Sequence, residues 1–402
     1  MQSAGRWKNY IELTTLFFLY GMALGMWWVP LTTILGAHGL EEIRPYAFAT
    51  SGLAALVSPL MLGALADRHV GPVRVLGWVT LAAAALMALT SWGIQQRWNP
   101  WLVLVLIQGL TLFLAPASSI STTIVLARLA DARREFGPIR SVATVGWMTG
   151  CWLVSALNAD SSPVAGYAGA AVWLALAAFT MVLPHVTPPK SLEQLTLKQR
   201  LGLDALSLLK NHDHRVIFIT AALISIPLAA FYPFTPPHLR ELGLERTSAW
   251  MTLGQVTEIV AMLGLSTLLL RWRLKWIFVL GIGFAVLRYV FCALNGTGWV
   301  LTGVTLHGFA FTLFFVTVPI YLNERIDAAW RARAQALFTL MTSGVGNLIG
   351  YLGTGWWFNF CARPGGTRWP LFWGGLSVAV AGVLIYFLIA YHGRGTKPSA
   401  KG

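Results

Sequence analysis

Glu258 and Gln255, a carboxylate and an amide, stand three residues apart in an otherwise apolar stretch, so one helical face carries both. An acid shielded from water is suited to taking up and releasing a proton, which makes Glu258 the candidate proton-coupling residue. A structural ion pair with Arg288 is the competing role. Arg140, Thr144 and Trp147 follow one another at i, i+4 and i+7, lining up a fork of N–H donors, a hydroxyl and a flat ring. That set suits a ligand with both carbonyls and a ring, although Arg140 is also placed to snorkel toward headgroups. His307 and Phe311 share a face at i, i+4, with Thr312 beside them. His307 can donate to a solute or relay protons, or it can be a satisfied packing residue. Trp27, with Tyr20 and Trp28, is a candidate cavity-lining aromatic, and Arg288 is expected to snorkel to the outer end of its helix in a structural role.

The elements that must hold these groups are long and apolar. Of 402 residues, 56% are hydrophobic and only 11% charged, against about 25% charged in soluble domains. The apolar residues come in blocks, such as 78–91, 101–114 and 371–390, broken by short polar turns. Windows of about 20 residues place spans near 9–36, 45–66, 73–94, 100–129, 138–158 and 165–184. Six more fall near 215–239, 248–270, 274–293, 297–322, 331–358 and 369–391. The expectation is an all-α membrane protein of twelve transmembrane helices in two pseudo-symmetric six-helix bundles. These bundles cover residues 1–184 and 215–402, joined by a cytoplasmic linker at 185–214. Prolines echo one another in the fourth and tenth spans (Pro116, Pro319). The fifth and eleventh both begin with arginine and run through small residues, among them Ala334, Gly346 and Gly350.

The net charge of +14 is topological rather than a sign of a polyanionic partner. With the N-terminus inside, 21 of the 29 Lys and Arg residues fall on the cytoplasmic side and 6 outside, with Arg140 and Arg288 in spans. Both termini are then cytoplasmic, and no nucleic-acid partner is expected. The chain shows no Ser/His/Asp set, no HExxH helix, no paired aspartates and no GxxxxGK[ST] loop, so neither an enzyme nor an ATP-driven pump is expected. Cys151, Cys292 and Cys361 lack metal-ligand spacing. No cofactor is expected beyond a proton as the coupling ion.

Residues 63–74 read GALADRHVGPVR, which resembles the cytoplasmic signature loop of the major facilitator superfamily through Gly63, Asp67, Arg68, Gly71 and Arg74. Asp67 can cap or pair with a helix end, Gly71 permits a tight turn, and the two arginines reach carboxylates or helix C-termini at a gate. A narrower likeness spans most of the chain: Gly137 to Arg140 with Gly146, Leu201 to Asn211, Gln255 to Glu258, Leu287-Arg288, Arg331 to Gln335 and Met341 to Gly344. In order and spacing these segments resemble the nucleoside:proton symporters of that superfamily. The resemblance implies a major facilitator fold and a binding site in which Arg140, Thr144 and Trp147 face Gln255, Glu258 and Phe311. Ala229 and Tyr232 stand where the family has amides, His307 where it has a tyrosine, and Thr312 where it has an acid.

The expected function is therefore proton-coupled symport of nucleosides by alternating access. The expected setting is the bilayer of a bacterial inner membrane, and the protein is expected to be a monomer. A sugar or oligosaccharide symporter of the same fold is the nearest alternative, ahead of a drug-efflux antiporter or a non-transporting membrane sensor.

Overall fold

The structure is a computed structural model that describes residues 2–66, 71–186 and 196–393. The first helices are α1 (Gln2–Trp28), its continuation α2 (Leu31–Ala37), α3 (Arg44–Ala66), α4 (Pro72–Gln95), α5 (Pro100–Arg128), α6 (Ala132–Ala156) and α7 (Val164–Thr180). Then come a short α8 (Leu197–Arg200), a 3-10 stretch (Leu203–Lys210), α9 (His212–Leu228), α10 (Phe231–Glu241), α11 (Thr247–Met251), α12 (Leu253–Arg271), α13 (Leu274–Ala293) and α14 (Thr297–Phe311). A π-helical stretch (Thr312–Val316) leads into α15 (Thr317–Arg325), and a second (Leu340–Gly346) joins α16 (Ala328–Thr339) to α17 (Asn347–Cys361). A two-residue hairpin, β1 (Ala362–Arg363) with β2 (Gly366–Thr367), turns the chain into α18 (Trp369–Ala390). Among the described residues, eight stretches are each long and apolar enough to cross a membrane.

Local chemistry sets these boundaries. Asn99 accepts from the backbone N–H of Trp101 at 3.0 Å, and Pro100 takes the first turn of α5, where a missing N–H has no helical partner to lose. Asn211 caps α9 through the N–H of His214. α6 starts six residues before the expected 138, because Asp131 accepts from Arg134 and supplies the cap while Pro138 is accommodated inside the helix. Pro30 separates α1 from α2, and the chain breaks again at Ala229 and Ala230, between Pro227 and Pro233. Tyr289 donates to the carbonyl of Pro227 at 2.7 Å beside that break.

The chain forms two compact units. The first gathers residues 1–194, 232–240 and 244–252; the second 195–231, 241–243 and 253–402. Within the first, α1 and α6 meet backbone to backbone. A Cβ on Gly21 or Gly25 would strike the main chain of Ala143 or Trp147, and one on Gly146 or Gly150 that of Phe18 or Met22. Glu12 and Arg128 form an ion pair here, with both side chains about one-tenth exposed.

Within the second unit, Gly346 and Gly350 pack against α9 at Ser225, Ile226 and Ala229. The 3-10 stretch docks on α16 through Asp204 and Arg333, 3.0 Å apart, beside the left-handed Gly202 (φ +67°). Most of the described linker, from residue 196 to 210, thus folds with the second unit.

Candidate functional site

In the first unit, α6 presents Arg140, Thr144 and Trp147 as a graded series. Arg140 is exposed, its guanidinium 5.5 Å from the centroid of Phe17, while Thr144 and Trp147 are half-buried. Trp147 lies 5.9 Å from Tyr232 at an interplanar angle of 57°, and its Nε1, itself buried, has no hydrogen-bond partner among the described residues. A buried donor without a partner is costly unless a ligand or water completes it. Tyr20 is buried edge-on against Trp173 at 5.9 Å and bonds Ser118. Trp27 is fully buried, its ring over Gly166 of α7, where the absence of a Cβ leaves room for it. The structure therefore places Trp27 in the packing of the first unit rather than on an open surface.

In the second unit, α12 carries Gln255, 4% exposed, and the half-buried Glu258 on one face. α14 approaches this face closely: a Cβ on Gly308 would fall on the backbone of Gly254, Thr257 and Glu258. Thr312, fully buried, donates to the Glu258 carbonyl at 3.4 Å, so its hydroxyl is turned to the helix backbone. Phe311 is 37% exposed and sits 6.0 Å from His307, nearly parallel to it.

Arg288 departs from the expected snorkelling role. It is fully buried, with Nη1 2.7 Å from Nδ1 of His307 and its guanidinium between the rings of Phe231 and Tyr289. Aromatic faces stabilise a desolvated cation there, and proximity to the helix end does not draw it out to water. Ala229 packs on Gly350 of α17.

The signature loop is described only in part. Gly63 lies in α3 and the exposed Arg74 in α4; Asp67 and Arg68 lie outside the described residues. Gly71 precedes α4 with φ −58°, a conformation open to any residue, so its own backbone does not require glycine.

Sequence reasoning passed over Asp160, which lies in the turn after α6. It is 4% exposed, and its Oδ1 accepts from the Ser248 N–H at 2.6 Å, from Ser155 at 3.1 Å and from Thr247 at 3.3 Å. Ser155 in turn accepts from the N–H of Ala249 at 3.0 Å. Together they cap the first turn of α11, where unpaired amides favour an anion. The neighbouring Ser161, Ser162 and Pro163 give this stretch the look of an ordinary loop, and Asp160 alone carries no periodic signal.

The sequence profile of the nucleoside H+ symporter family matches residues 8–395. The putative nucleoside transporter YegT of Escherichia coli (strain K12) is 33% identical over 361 residues, covering 86% of this chain and 83% of its own length. The xanthosine permease of the same organism is 24% identical over 402 residues, covering 95% and 96%. The crystal structure of the nucleoside transporter NupG superimposes with a TM-score of 0.83 at 24% identity, over 95% of this chain and 99% of that one. The fold is that of the major facilitator transporters, and these relatives are carriers, not enzymes.

Proposed function

This chain belongs to the nucleoside H+ symporter family, and from that premise we propose that it carries nucleosides together with protons, by alternating access, across a bacterial inner membrane. The observation that carries this reading is the family match over nearly the whole chain, 8–395, together with a half-buried acid on the same helical face as a buried amide. Glu258 is the coupling residue: it is half-buried, shielded in part yet not sealed, as a group that both holds and releases a proton requires.

In the first unit, Arg140 and Thr144 supply hydrogen-bond donors to the solute, and Trp147 offers a ring face and an unsatisfied N–H. In the second, Gln255 can both donate and accept, His307 donates, and the exposed face of Phe311 stacks on the base. Tyr232 takes a place that the resemblance assigns to an amide and offers a ring beside Trp147.

The test is uptake of radiolabelled uridine into cells lacking their own nucleoside carriers, under an imposed pH gradient. Accumulation should collapse when the gradient is abolished. A correctly inserted protein that takes up no nucleoside overturns the reading and returns sugars to the head of the substrate panel.

A further inference from the structure

Where α9 begins and α18 ends, His212, Asp213 and His392 each bring one metal-binding atom to within 4.8 Å of the others. None of the three belongs to the residues assigned to solute or coupling. Asp213 is buried and both histidines are exposed, so solvent reaches the group from the imidazole side. Asp213 and His392 stand 179 residues apart in the chain, which is why no local spacing announces them.

Contacts from both helix ends hold the three in register. Asn211 caps α9 by accepting the N–H of His214 at 3.2 Å, which fixes the first turn that carries His212 and Asp213. Lys275 Nζ donates to the carbonyls of Leu388 and Tyr391, at 3.1 and 2.7 Å, and fixes the last turn of α18. The N–H of His392 then donates to Asp213 Oδ1 at 3.3 Å, tying one helix end to the other. His214 is engaged elsewhere, with its Nδ1 2.8 Å from the Tyr321 hydroxyl, and is not part of the group.

Two imidazoles and one carboxylate are a ligand set for a first-row divalent ion such as Zn2+, whereas Mg2+ and Ca2+ take oxygen ligands. Zinc distances of about 2.0–2.2 Å put two tetrahedral donors about 3.3–3.6 Å apart. His212 Nδ1 and Asp213 Oδ1 already stand 3.6 Å apart. The His392 ring lies 5.0 Å from that of His212, and rotation of an exposed side chain suffices to bring its nitrogen in. An ionised carboxylate offers about four lone-pair positions, so Asp213 keeps acceptor capacity after its bond from His392. The N-terminus of α9 and the charges of Lys275 and Arg325, both felt at Tyr391, oppose a cation here. The Asp213 carboxylate and the last carbonyls of α18 favour one, which sets an affinity below that of a closed structural zinc site.

We propose that His212, Asp213 and His392 form a site for a divalent transition-metal ion, Zn2+ foremost, which fastens the start of α9 to the end of α18 and leaves a coordination position to water. The site is independent of which solute the protein carries.

The test uses full-length protein without a histidine tag, purified in detergent, stripped with a chelator, exposed to zinc or magnesium and desalted. By elemental analysis the wild type should retain one zinc per chain and no magnesium, and zinc should raise its melting temperature. His212→Ala and His392→Ala, both at exposed positions, should each weaken zinc binding by about tenfold or more and lose the thermal shift. His185→Ala, at an exposed position outside the group, should change neither. Metal-free melting of the two variants should match the wild type, which separates loss of a ligand from loss of the fold. A wild type that retains no zinc overturns the site. Retention undiminished in both variants also overturns it and assigns the ion to histidines elsewhere.

Discussion

Asp160 accepts the backbone N–H of Ser248 at 2.6 Å, so a carboxylate from the turn after α6 caps a helix that begins more than eighty residues later in the chain. Its Oδ1 also collects the hydroxyls of Ser155 and Thr247. Asp160→Ala strands these donors in a buried place and is expected to destabilise the protein by about 1–3 kcal/mol. Asp160→Asn keeps an oxygen for the amide and should recover most of that. Thermal unfolding in detergent checks both, and equal melting temperatures for Asp160→Ala and wild type would contradict the capping role.

Glu258→Gln keeps the shape of the side chain and removes the titratable proton. Proton-driven accumulation of uridine should be lost, while exchange of labelled for unlabelled uridine across vesicles without a gradient persists. Accumulation that survives the substitution would move the coupling step to another residue.

Trp147→Ala removes a ring and an N–H donor together. A loss of about 0.5–1.5 kcal/mol of aromatic contact corresponds to a rise of up to about tenfold in KM for uridine uptake. Trp147→Phe should retain most of the affinity. The measurement is initial-rate uptake against uridine concentration, and an unchanged KM in Trp147→Ala excludes this ring from the solute contacts.

Gly146→Ala tests the meeting of α1 and α6, since its Cβ would land on the Phe18 backbone. Overpacking of this kind costs about 1–3 kcal/mol. Gly353, on α17, has no atom near the place where a Cβ would stand. There Gly353→Ala should be neutral or stabilise by up to about 1 kcal/mol through helix propensity. Comparable melting temperatures for the two variants would refute the close contact.

Much of this architecture is readable from the chain because hydrocarbon demands long apolar helices with all backbone bonds made internally, and such segments stand out in composition alone. The stripe of Arg140, Thr144 and Trp147 and the pair of Gln255 and Glu258 follow from helical spacing for the same reason. What spacing cannot supply is partnership between helices. Arg288 was expected at the outer end of α13 because its position permits snorkelling; it turns inward because Phe231, Tyr289 and His307 offer it a face and an acceptor. Trp27 shares the chemistry of a cavity aromatic, but it is fully buried with its ring against Gly166. Asp160 depends on residues 247 and 248, and nothing local to it forecasts that pairing.

The π-helical stretch at Thr312–Val316 gives the span from Thr297 to Arg325 two angular frames in place of one. Pro319, which has no N–H to give, stands just beyond it, and Thr317 donates its hydroxyl to the Thr312 carbonyl at 3.1 Å within the widened turn. A helical wheel drawn straight through the span is therefore out of phase past Val316, by about 100° for each extra residue. Deleting one residue there would re-aim Tyr321 relative to His307 by about 100°. Along this helix, length is a means of steering, and a carrier of this family could retarget its lower half without changing a single residue type.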